Sequence, residues 1–314
     1  MKNEIDDKLM SSPTSPALEV RELVKTFDGR RVVNGVSFEL QRGEIFGFLG
    51  PNGSGKTTTM RMALDLIRPD SGSVALLGGM PPRKARRRVG YLSEERGLFQ
   101  RARVIDALRY LGRLKGLEAR AAERRAEEML RRVDLADSAR STVQSLSRGM
   151  TQLIQFSGAL LHQPDLIILD EPFAGLDPLN VELMKKIIRE EQARGASIIF
   201  STHIMSDVEE LCERVLLIHA GATLLYGSLM ELKRSRGTRT VNVTAGRRPE
   251  CVAGVTEPVA VNGQFQYTIA SDSEPQAILR SFLDAQIPVE RFEEALPTLN
   301  EIFIEEVRDA RSRG

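Results

Sequence analysis

The stretch Gly50-Pro51-Asn52-Gly53-Ser54-Gly55-Lys56-Thr57-Thr58 decides the fold class of this chain. It fits the pattern G-x-x-x-x-G-K-[ST], in which a glycine-rich backbone points successive N–H groups at the phosphates of a nucleotide. Lys56 adds a positive charge near the β- and γ-phosphates, and the Thr57 hydroxyl is suited to bind Mg²⁺. The stretch therefore predicts a phosphate-binding loop whose contact residues are Gly50, Asn52, Gly53, Ser54, Gly55, Lys56, Thr57 and Thr58.

The residues on either side of this loop support that interpretation. Glu44–Leu49 is a short apolar run ending at Gly50, as a buried strand does, and Thr59–Leu64 has the composition of a helix. A helix that starts at the loop adds its N-terminal partial positive charge, which favours bound anions. A strand, a phosphate loop and a helix in this order indicate a site for a nucleoside triphosphate.

A second apolar run ends in two carboxylates. Leu166-Ile167-Ile168-Leu169 is followed by Asp170 and Glu171, and ligands of open α/β sheets bind beyond the carboxyl ends of the strands. Asp170 is predicted to hold Mg²⁺, directly or through water, and Glu171 to act as the general base for an attacking water. Taken alone, the same residues also fit a solvated acidic turn after a buried strand.

His203 follows a third apolar run, Ile198-Ile199-Phe200, through Ser201-Thr202. At the end of a strand this histidine is predicted to contact the γ-phosphate and orient the attacking water, although a purely structural role also fits. The segment Ser206-Asp207-Val208-Glu209 matches a capping box, which predicts that a helix follows. The strand, turn and helix would bring His203 to the same sheet edge as Asp170.

Two further residues have both a structural and a functional interpretation. Asp177-Pro178 is a good N-cap and first helical residue, and that role does not exclude a second one. Phe27 lies among polar residues and fits either adenine stacking or an ordinary core position.

Alternating short β-type runs and helical patterns predict an α/β sheet domain. The stretch Val104–Val133 is rich in Ala, Leu, Arg and Glu, which predicts two helices broken near Gly116 and a helical subdomain inserted at about residues 95–162. After a basic linker, Thr298-Leu299-Asn300-Glu301 matches a capping box before a final helix. We therefore predict a flexible tail at residues 1–16, an α/β domain with the nucleotide site at 17–236 and a small α+β domain at 237–314.

The bulk composition is that of an ordinary globular chain of 314 residues, with 41% hydrophobic and 28% charged residues. The net charge of +1 gives no general reason to expect nucleic acid as a partner. No apolar run approaches the ~20 residues that span a bilayer, and Cys212 and Cys251 lack metal or redox spacing. The basic run Arg83–Arg88 is interpreted as a solvated surface, with contact to anionic lipid head groups as the alternative.

The segment Leu146-Ser147-Arg148-Gly149-Met150 completes a set of motifs that resembles the ATPase subunits of ABC transporters. The motifs follow the order of that family over about residues 17–232: an aromatic residue, the phosphate loop, a Gln-loop position, the signature, the Asp-Glu strand, the D-loop and the switch histidine. The segment Leu296–Phe303 resembles the end of an accessory domain found in the subgroup of sodium-extrusion and drug-export ATPases. The fold implied is a P-loop NTPase domain of the ABC type with an inserted helical subdomain and a small C-terminal α+β domain.

The resemblance assigns roles to individual residues. Phe27 would stack on adenine, Ser147 and Gly149 would touch the γ-phosphate bound to a second protomer, and Asp177 would lie in the D-loop across the dimer interface. Glu94 occupies the Gln-loop position and would bind Mg²⁺ through its carboxylate. The chain departs from the usual Leu-Ser-Gly-Gly-Gln signature at Arg148 and Met150, which affects the expected coupling more than hydrolysis.

The function implied is ATP hydrolysis with Mg²⁺, powering a separately encoded membrane permease, with export as the expected direction. The chain would act as a homodimer or beside a paired ABC ATPase, peripherally at the cytoplasmic face of the cell membrane. The helical stretch after Glu94 would contact the permease, and no nucleic acid is expected. Two alternatives stay open: a soluble ABC-type ATPase acting on DNA or ribosomes, and a nucleotide-sensing regulator without turnover.

Overall fold

The computed structural model of the chain describes residues 15–80, 82–95, 97, 99–236, 240–247, 259–261, 264–268 and 275–312. The chain forms two compact units, one ending at Gly227 and the other beginning at Ser228. The predicted boundary after residue 236 lies slightly later and stays a prediction. The predicted tail falls outside the described residues except for Ser15 and Pro16, and Cys251 also lies outside them.

Across the described ranges, no helix has the length and apolar character needed to span a bilayer.

The first unit is built on a six-stranded sheet with the strand order β5-β6-β7-β3-β8-β9. Neighbouring strands from β5 to β8 run parallel, and their residues are almost all buried, as expected when both faces of a sheet are covered. The strands are β3 (Ile45–Leu49), β5 (Val89–Leu92), β6 (Leu166–Asp170), β7 (Ser197–Thr202), β8 (Arg214–His219) and β9 (Ala222–Ser228).

The parallel register aligns the ends of the strands that carry the predicted site. Leu49 of β3 lies opposite Thr202 of β7, and Asp170 of β6 lies opposite Ser201 of the same strand. Residues that follow these strands therefore emerge at one edge of the sheet. This register brings the phosphate loop, Glu171 and His203 to a common edge, as the strand–turn patterns predict.

A three-stranded antiparallel sheet with the order β2-β1-β4 covers part of the parallel sheet. Its strands are β1 (Leu18–Phe27), β2 (Arg30–Leu40) and β4 (Ser71–Leu76). One apolar core joins the two sheets and includes Leu18, Val36 and Phe38 of the antiparallel sheet together with Phe46 and Phe48 of β3. Burial of this apolar surface is the main favourable term that holds the unit together.

The helices of the first unit are α1 (Lys56–Ala63), α2 (Pro82–Ala85), α3 (Val104–Leu114), α4 (Ala119–Arg132), α5 (Arg148–Leu160), α6 (Pro178–Ala193) and α7 (Met205–Leu211). Short 3₁₀ turns occupy residues 86–88, 136–138 and 143–145. Helices α3, α4 and α5 pack on one another. The prediction of two helices broken near Gly116 is confirmed, because α3 ends at Leu114 and α4 begins at Ala119.

The predicted capping box at Ser206 is wrong. Helix α7 begins one residue earlier, at Met205, and its N-cap position is Ile204. The Thr202 hydroxyl accepts a hydrogen bond from the Ile204 backbone N–H at 3.0 Å, so the preceding strand supplies the turn that starts the helix. Asp207, in the first turn of this helix, forms an ion pair with Lys185.

The second unit contains a four-stranded sheet with the order β11-β12-β10-β13, in which every pair is antiparallel. Its elements are α8 (Leu229–Ser235), β10 (Thr240–Ala245), β11 (Val259–Val261), β12 (Gln264–Thr268), α9 (Pro275–Asp284), β13 (Val289–Ala295) and α10 (Leu299–Ser312). Its core includes Val241, Val243 and Tyr267 of the sheet together with Ile278 and Phe282 of α9.

The capping box before the last helix is confirmed. The Thr298 backbone N–H donates to Glu301 Oε2 at 2.7 Å, and the Glu301 backbone N–H donates to the Thr298 hydroxyl at 3.2 Å. Strand β13 was not predicted from the sequence. Most of its residues are charged and exposed, so it lacks the strict alternation that marks a half-buried strand.

Candidate functional site

The phosphate loop runs from the end of β3 to the start of α1, and two of its glycines are sterically required. A Cβ atom at Gly50 would lie 2.4 Å from the Ile218 carbonyl oxygen, and one at Gly55 would lie 2.6 Å from the Val32 carbonyl oxygen. Gly55 also has a φ of 106°, which residues with a side chain rarely adopt. The backbone curl expected of a phosphate loop is therefore built from close approaches that only glycine permits.

Lys56 is buried at the first position of α1. Its Nζ donates to the Gly50 carbonyl oxygen at 2.8 Å and lies 3.4 Å from Glu171 Oε1. The ammonium is thus held at the junction between the phosphate loop and the end of β6. A cation in this place faces both an incoming phosphate and the predicted base.

A cavity of about 350 Å³ lies above the loop. It brings together eight of the predicted site residues, from three separate parts of the chain. The residues that line it are Val32, Asn52, Gly53, Gly55, Lys56, Thr57, Thr58, Glu94 and Glu171. The predicted Gln-loop position therefore lies beside the phosphate loop and the predicted base.

Asp170 is fully buried at the end of β6. The Ser201 hydroxyl donates to its Oδ1, while its Oδ2 has no hydrogen-bond partner among the described residues. A buried carboxylate oxygen without a partner is costly, and a hard cation or its water shell is the group that such an oxygen suits. The chemistry of this oxygen therefore fits Mg²⁺, and Thr57 and Glu94, which both line the cavity, offer a hydroxyl and a carboxylate nearby in the chain's predicted site.

Glu171 lies between two nitrogen groups. Its Oε2 is 3.0 Å from His203 Nδ1, and its Oε1 is 3.4 Å from Lys56 Nζ. Its backbone N–H donates to the Ser201 hydroxyl at 3.0 Å, and its φ of 48° is in the left-handed region. The side chain is almost fully buried, whereas His203 is half exposed. A carboxylate held this way faces the cavity with a fixed orientation.

Three of the predicted residues that do not line this cavity lie at the starts of helices elsewhere in the unit. Ser147 is the N-cap of α5, where its hydroxyl accepts from the Met150 backbone N–H at 3.2 Å, and Gly149 lies in the first turn. Asp177 is the N-cap of α6 and accepts from the Asn180 backbone N–H at 3.0 Å. The hydrogen bonds from Asn180, from the backbone first and then the side chain, lower the pKa of Asp177.

Phe27 lies at the end of β1 with an exposed ring, and Lys25 Nζ is 5.4 Å from the ring centre. Because 42% of Phe27 is exposed, the core interpretation is wrong. The ring does not line the cavity, and its role in stacking on adenine stays a prediction.

Two residues that hold the site were not singled out from the sequence. The Ser201 hydroxyl bridges Asp170 and Glu171 by donating to the Asp170 carboxylate and accepting from the Glu171 backbone N–H. The sequence feature that could have indicated this role is its position directly before Thr202-His203 at the end of a strand. Val32 lines the cavity from β2 and has no distinguishing pattern in the sequence.

Comparison with known proteins gives family matches to both units. The model described as "ABC transporter" matches residues 33–174, and that of the C-terminal domain of DrrA1-3-like ATP-binding proteins matches residues 227–307. Two solved structures are similar: an ATP-binding subunit of an ABC transporter (32% identity, TM-score 0.65, covering 70% of this chain and 92% of that one) and cbiO1 from Clostridium perfringens (27% identity, TM-score 0.60, covering 70% and 94%).

Curated relatives extend this similarity to nearly the whole chain. The ABC transporter ATP-binding protein YhaQ of Bacillus subtilis is 39% identical over 293 residues, covering 92% of this chain and 98% of the relative. The Nod factor export ATP-binding protein I of Burkholderia lata is 36% identical, covering 84% and 88%, and the linearmycin resistance ATP-binding protein LnrL of B. subtilis is 33% identical, covering 71% and 73%. On these grounds the chain belongs to the ABC transporter ATP-binding proteins, a family of ATPases.

Proposed function

We propose that this chain is the ATP-hydrolysing subunit of an exporter and drives a separately encoded membrane permease. The observation that carries the proposal is the position of Glu171, whose carboxylate lies between Lys56 Nζ and His203 Nδ1 at the cavity above the phosphate loop. This geometry supports Glu171 as the base that accepts a proton from a water molecule beside the terminal phosphate.

The proposed reaction is an in-line attack of water on the γ-phosphorus of ATP. The water gives a proton to Glu171, a new P–O bond forms, and the bond from the γ-phosphorus to the bridging oxygen of ADP breaks. The backbone N–H groups of the loop and the Lys56 ammonium hold the phosphates and their developing charge. His203 orients the Glu171 carboxylate through their 3.0 Å contact, and it reaches the γ-phosphate from the same sheet edge.

We propose that Mg²⁺ is held by Asp170, Thr57 and Glu94. The unpartnered Oδ2 of Asp170 supports this assignment, as does the place of Thr57 and Glu94 on one cavity. When bound there, the ion would supply positive charge that offsets the charge of the phosphates. Glu94 adds a negative charge that an amide at this position would lack, and this charge favours the ion further.

The signature residues are proposed to act on a nucleotide bound to another protomer, which is either a second copy or a paired ABC ATPase. Ser147 and Gly149 lie at the N-terminus of a 13-residue helix, which favours a phosphate, yet they do not line the cavity of their own chain. Asp177 is proposed to lie at the same interface, and Phe27 to stack on the adenine.

The partner surface for the permease is proposed to lie on the segment after Glu94. Phe99, Tyr110 and Leu114 expose 57%, 48% and 60% of their surfaces there, and the rings of Phe99 and Tyr110 meet edge to face at 5.4 Å. Large exposed apolar side chains grouped in this way are typical of protein–protein contact sites. A permease bound here would hold the chain peripherally at the cytoplasmic face of the membrane.

Export is proposed because relatives of this chain are named for Nod factor export and for linearmycin resistance. The cargo pathway would belong to the permease, so we name no cargo for this chain.

The test is reconstitution of the chain with its membrane partner in vesicles. We expect the two proteins to co-purify and the permease to stimulate ATP turnover, and Phe99→Asp to weaken co-purification without lowering nucleotide affinity. Turnover stimulated by RNA or DNA and not by the permease would contradict the transporter assignment. ATP binding without turnover in the complete complex would indicate a nucleotide-sensing regulator instead.

A further inference from the structure

A buried lysine outside the cavity links the two segments that carry the predicted base and the switch histidine. Lys185 lies in the middle of α6 with 5% of its surface exposed. Its Nζ is 2.5 Å from Glu210 Oε2 and 3.1 Å from Asp207 Oδ1, both on α7. The side chain of Asp207 is itself only 10% exposed. Lys185 and Asp207 thus form a buried ion pair between two helices, with the more exposed Glu210 as a second partner, and the nucleotide site includes none of the three.

The network is connected to both sides of the reaction centre. Helix α7 begins two residues after His203, so its position sets where the histidine lies. Lys185 Nζ is also 5.9 Å from the ring centre of Phe173, which follows Glu171 by two residues. Phe173 in turn packs edge to face on Phe200 of β7. One ammonium therefore contacts the loop after Glu171 and the helix after His203.

The charge on Lys185 is maintained in this environment. Burial lowers the pKa of Lys185, but its hydrogen bonds to Glu210 and Asp207 outweigh that effect and raise the pKa. The hydrogen bond to Lys185 likewise lowers the pKa of Glu210. Removing Lys185 would leave the buried carboxylate of Asp207 without this cation, whereas Glu210 would keep its contact with Arg189 at 2.6 Å. An uncompensated buried charge is costly, so the start of α7 would shift or take up water.

We propose that Lys185 is a positioning residue that keeps His203 Nδ1 against Glu171 Oε2 by fixing α7 to the loop after the base. The inference rests on the proposed role of Glu171 in hydrolysis. The 3.0 Å contact joins residues on two different loops, so a small shift of α7 changes it directly. Displacing a reacting group by about 1 Å costs up to about 100-fold in rate.

A second ion-pair network on the same helix provides a matched control. Arg132 of α4 contacts Glu191 and Glu190 of α6, each at 2.8 Å, and Glu191 is buried. Like Lys185, Arg132 is a cation with a buried carboxylate partner, and it ties another helix to α6. Its partners Glu190 and Glu191, however, lie more than a turn beyond Lys185 along α6. Arg132→Met therefore breaks a structural ion pair of the same kind without touching the segments after Glu171 and His203.

The experiment uses the full chain bound to its permease and compares Lys185→Met, Lys185→Arg and Arg132→Met. We expect Lys185→Met to lower kcat roughly 10- to 100-fold, with ATP affinity unchanged within about twofold because the phosphate loop is intact. Lys185→Arg should restore most of kcat. Arg132→Met should lower the unfolding temperature and leave kcat nearly unchanged. Equal losses of kcat in Lys185→Met and Arg132→Met would overturn the inference.

Combining Lys185→Met with His203→Ala tests whether Lys185 affects kcat through His203. If Lys185 acts through His203, then Lys185→Met should change kcat little in the His203→Ala background, as coupled residues are not additive. Fully additive losses would overturn the inference. Should Lys185→Met fail to fold, Asp207→Asn provides the same comparison with the lysine kept. Normal turnover of Glu171→Gln would instead reject the proposed function, whatever the Lys185 variants show.

Discussion

The first unit carries predicted nucleotide contacts in two regions, the cavity above the phosphate loop and the signature turn at Ser147. The two regions differ in whether residues of the same chain surround the predicted contact. The phosphate loop, Glu94 and Glu171 meet at one cavity, with Lys56 Nζ already 3.4 Å from Glu171 Oε1. The signature residue Ser147 does not line this cavity, and its hydroxyl caps its own helix. One region is assembled by a single chain, whereas the other is proposed to meet a nucleotide on a second protomer.

The difference follows from how each region is supported. Residues after parallel strands converge because the strands are in register, as Asp170 and Ser201 show. Ser147 follows a 3₁₀ turn in the inserted helices and has no neighbouring strand to align it with the loop. Separate experiments can therefore test action within one chain and action between chains.

The largest effect is expected from Glu171→Gln, which tests whether the cavity above the phosphate loop contains the catalytic base. The amide keeps the shape but cannot accept the proton of the attacking water, so hydrolysis should fall roughly 10²- to 10⁴-fold. ATP binding should persist, and the variant should accumulate as an ATP-bound dimer. Turnover assays with light scattering check this, and normal turnover would remove Glu171 from the role of base.

A smaller effect is expected from Lys56→Ala, which removes the cation that joins loop and base. The phosphates lose a buried charge-assisted contact, so ATP affinity should weaken about 100-fold. Calorimetric titration of the isolated chain measures this without any partner. Unchanged affinity would mean that the loop does not hold the phosphates through Lys56.

Mixing variants tests whether the signature acts between chains. Lys56→Ala and Ser147→Arg are each expected to be nearly inactive, yet a mixed dimer contains one site with an intact loop and an intact signature. Equal mixing should restore up to roughly a quarter of wild-type turnover, since half of the dimers are mixed and each has one good site.

The matched control mixes Lys56→Ala with Glu171→Gln. Both substitutions affect the cavity above the phosphate loop, so each disables the site of its own protomer. No mixed dimer of these two has an intact site, so no turnover should return. Recovery in both mixtures, or in neither, would contradict the contrast between the two regions.

The smallest effect is a pH dependence of stability from Asp177 at the start of α6. Its pKa is lowered in the folded chain, first by the backbone hydrogen bond of Asn180, so its stabilising contribution is present above the unfolded pKa. That contribution is lost as pH falls through the folded pKa. Asp177→Ala should therefore be less stable than wild type near neutral pH, and this difference in stability should narrow as the pH falls through the folded pKa of Asp177.

Thermal unfolding at several pH values measures this effect, with Asp177→Asn as the control that keeps a capping oxygen but does not titrate. An identical acid response in wild type and Asp177→Ala would exclude Asp177 as a contributor.

The features predicted well from sequence are those encoded in short segments. The phosphate loop, the apolar run before Asp170 and the helix break at Gly116 each depend on neighbouring residues, and the structure has all three. The location of Glu171 between Lys56 and His203 depends on the register of three strands far apart in the sequence. Local patterns bring these residues to one edge but do not determine their contacts.

The failures have the same origin. Ser206 matched a capping box, but Thr202 of the preceding strand closed the turn first. Strand β13 is stabilised by pairing with β10, a contact that its charged sequence does not reveal. Ser201 became a bridge between two carboxylate residues only because β6 and β7 are neighbours.

The left-handed backbone of Glu171 has a consequence for how this protein would respond to selection for heat resistance. A residue with a side chain at a φ of 48° stores strain of about 1 kcal/mol or more, which glycine would release. Glu171→Gly would release this strain, but it would delete the proposed base and leave the buried ammonium of Lys56 without its carboxylate partner. Backbone strain and buried charge therefore act in opposite directions at this position, so selection for heat resistance alone would not favour glycine here.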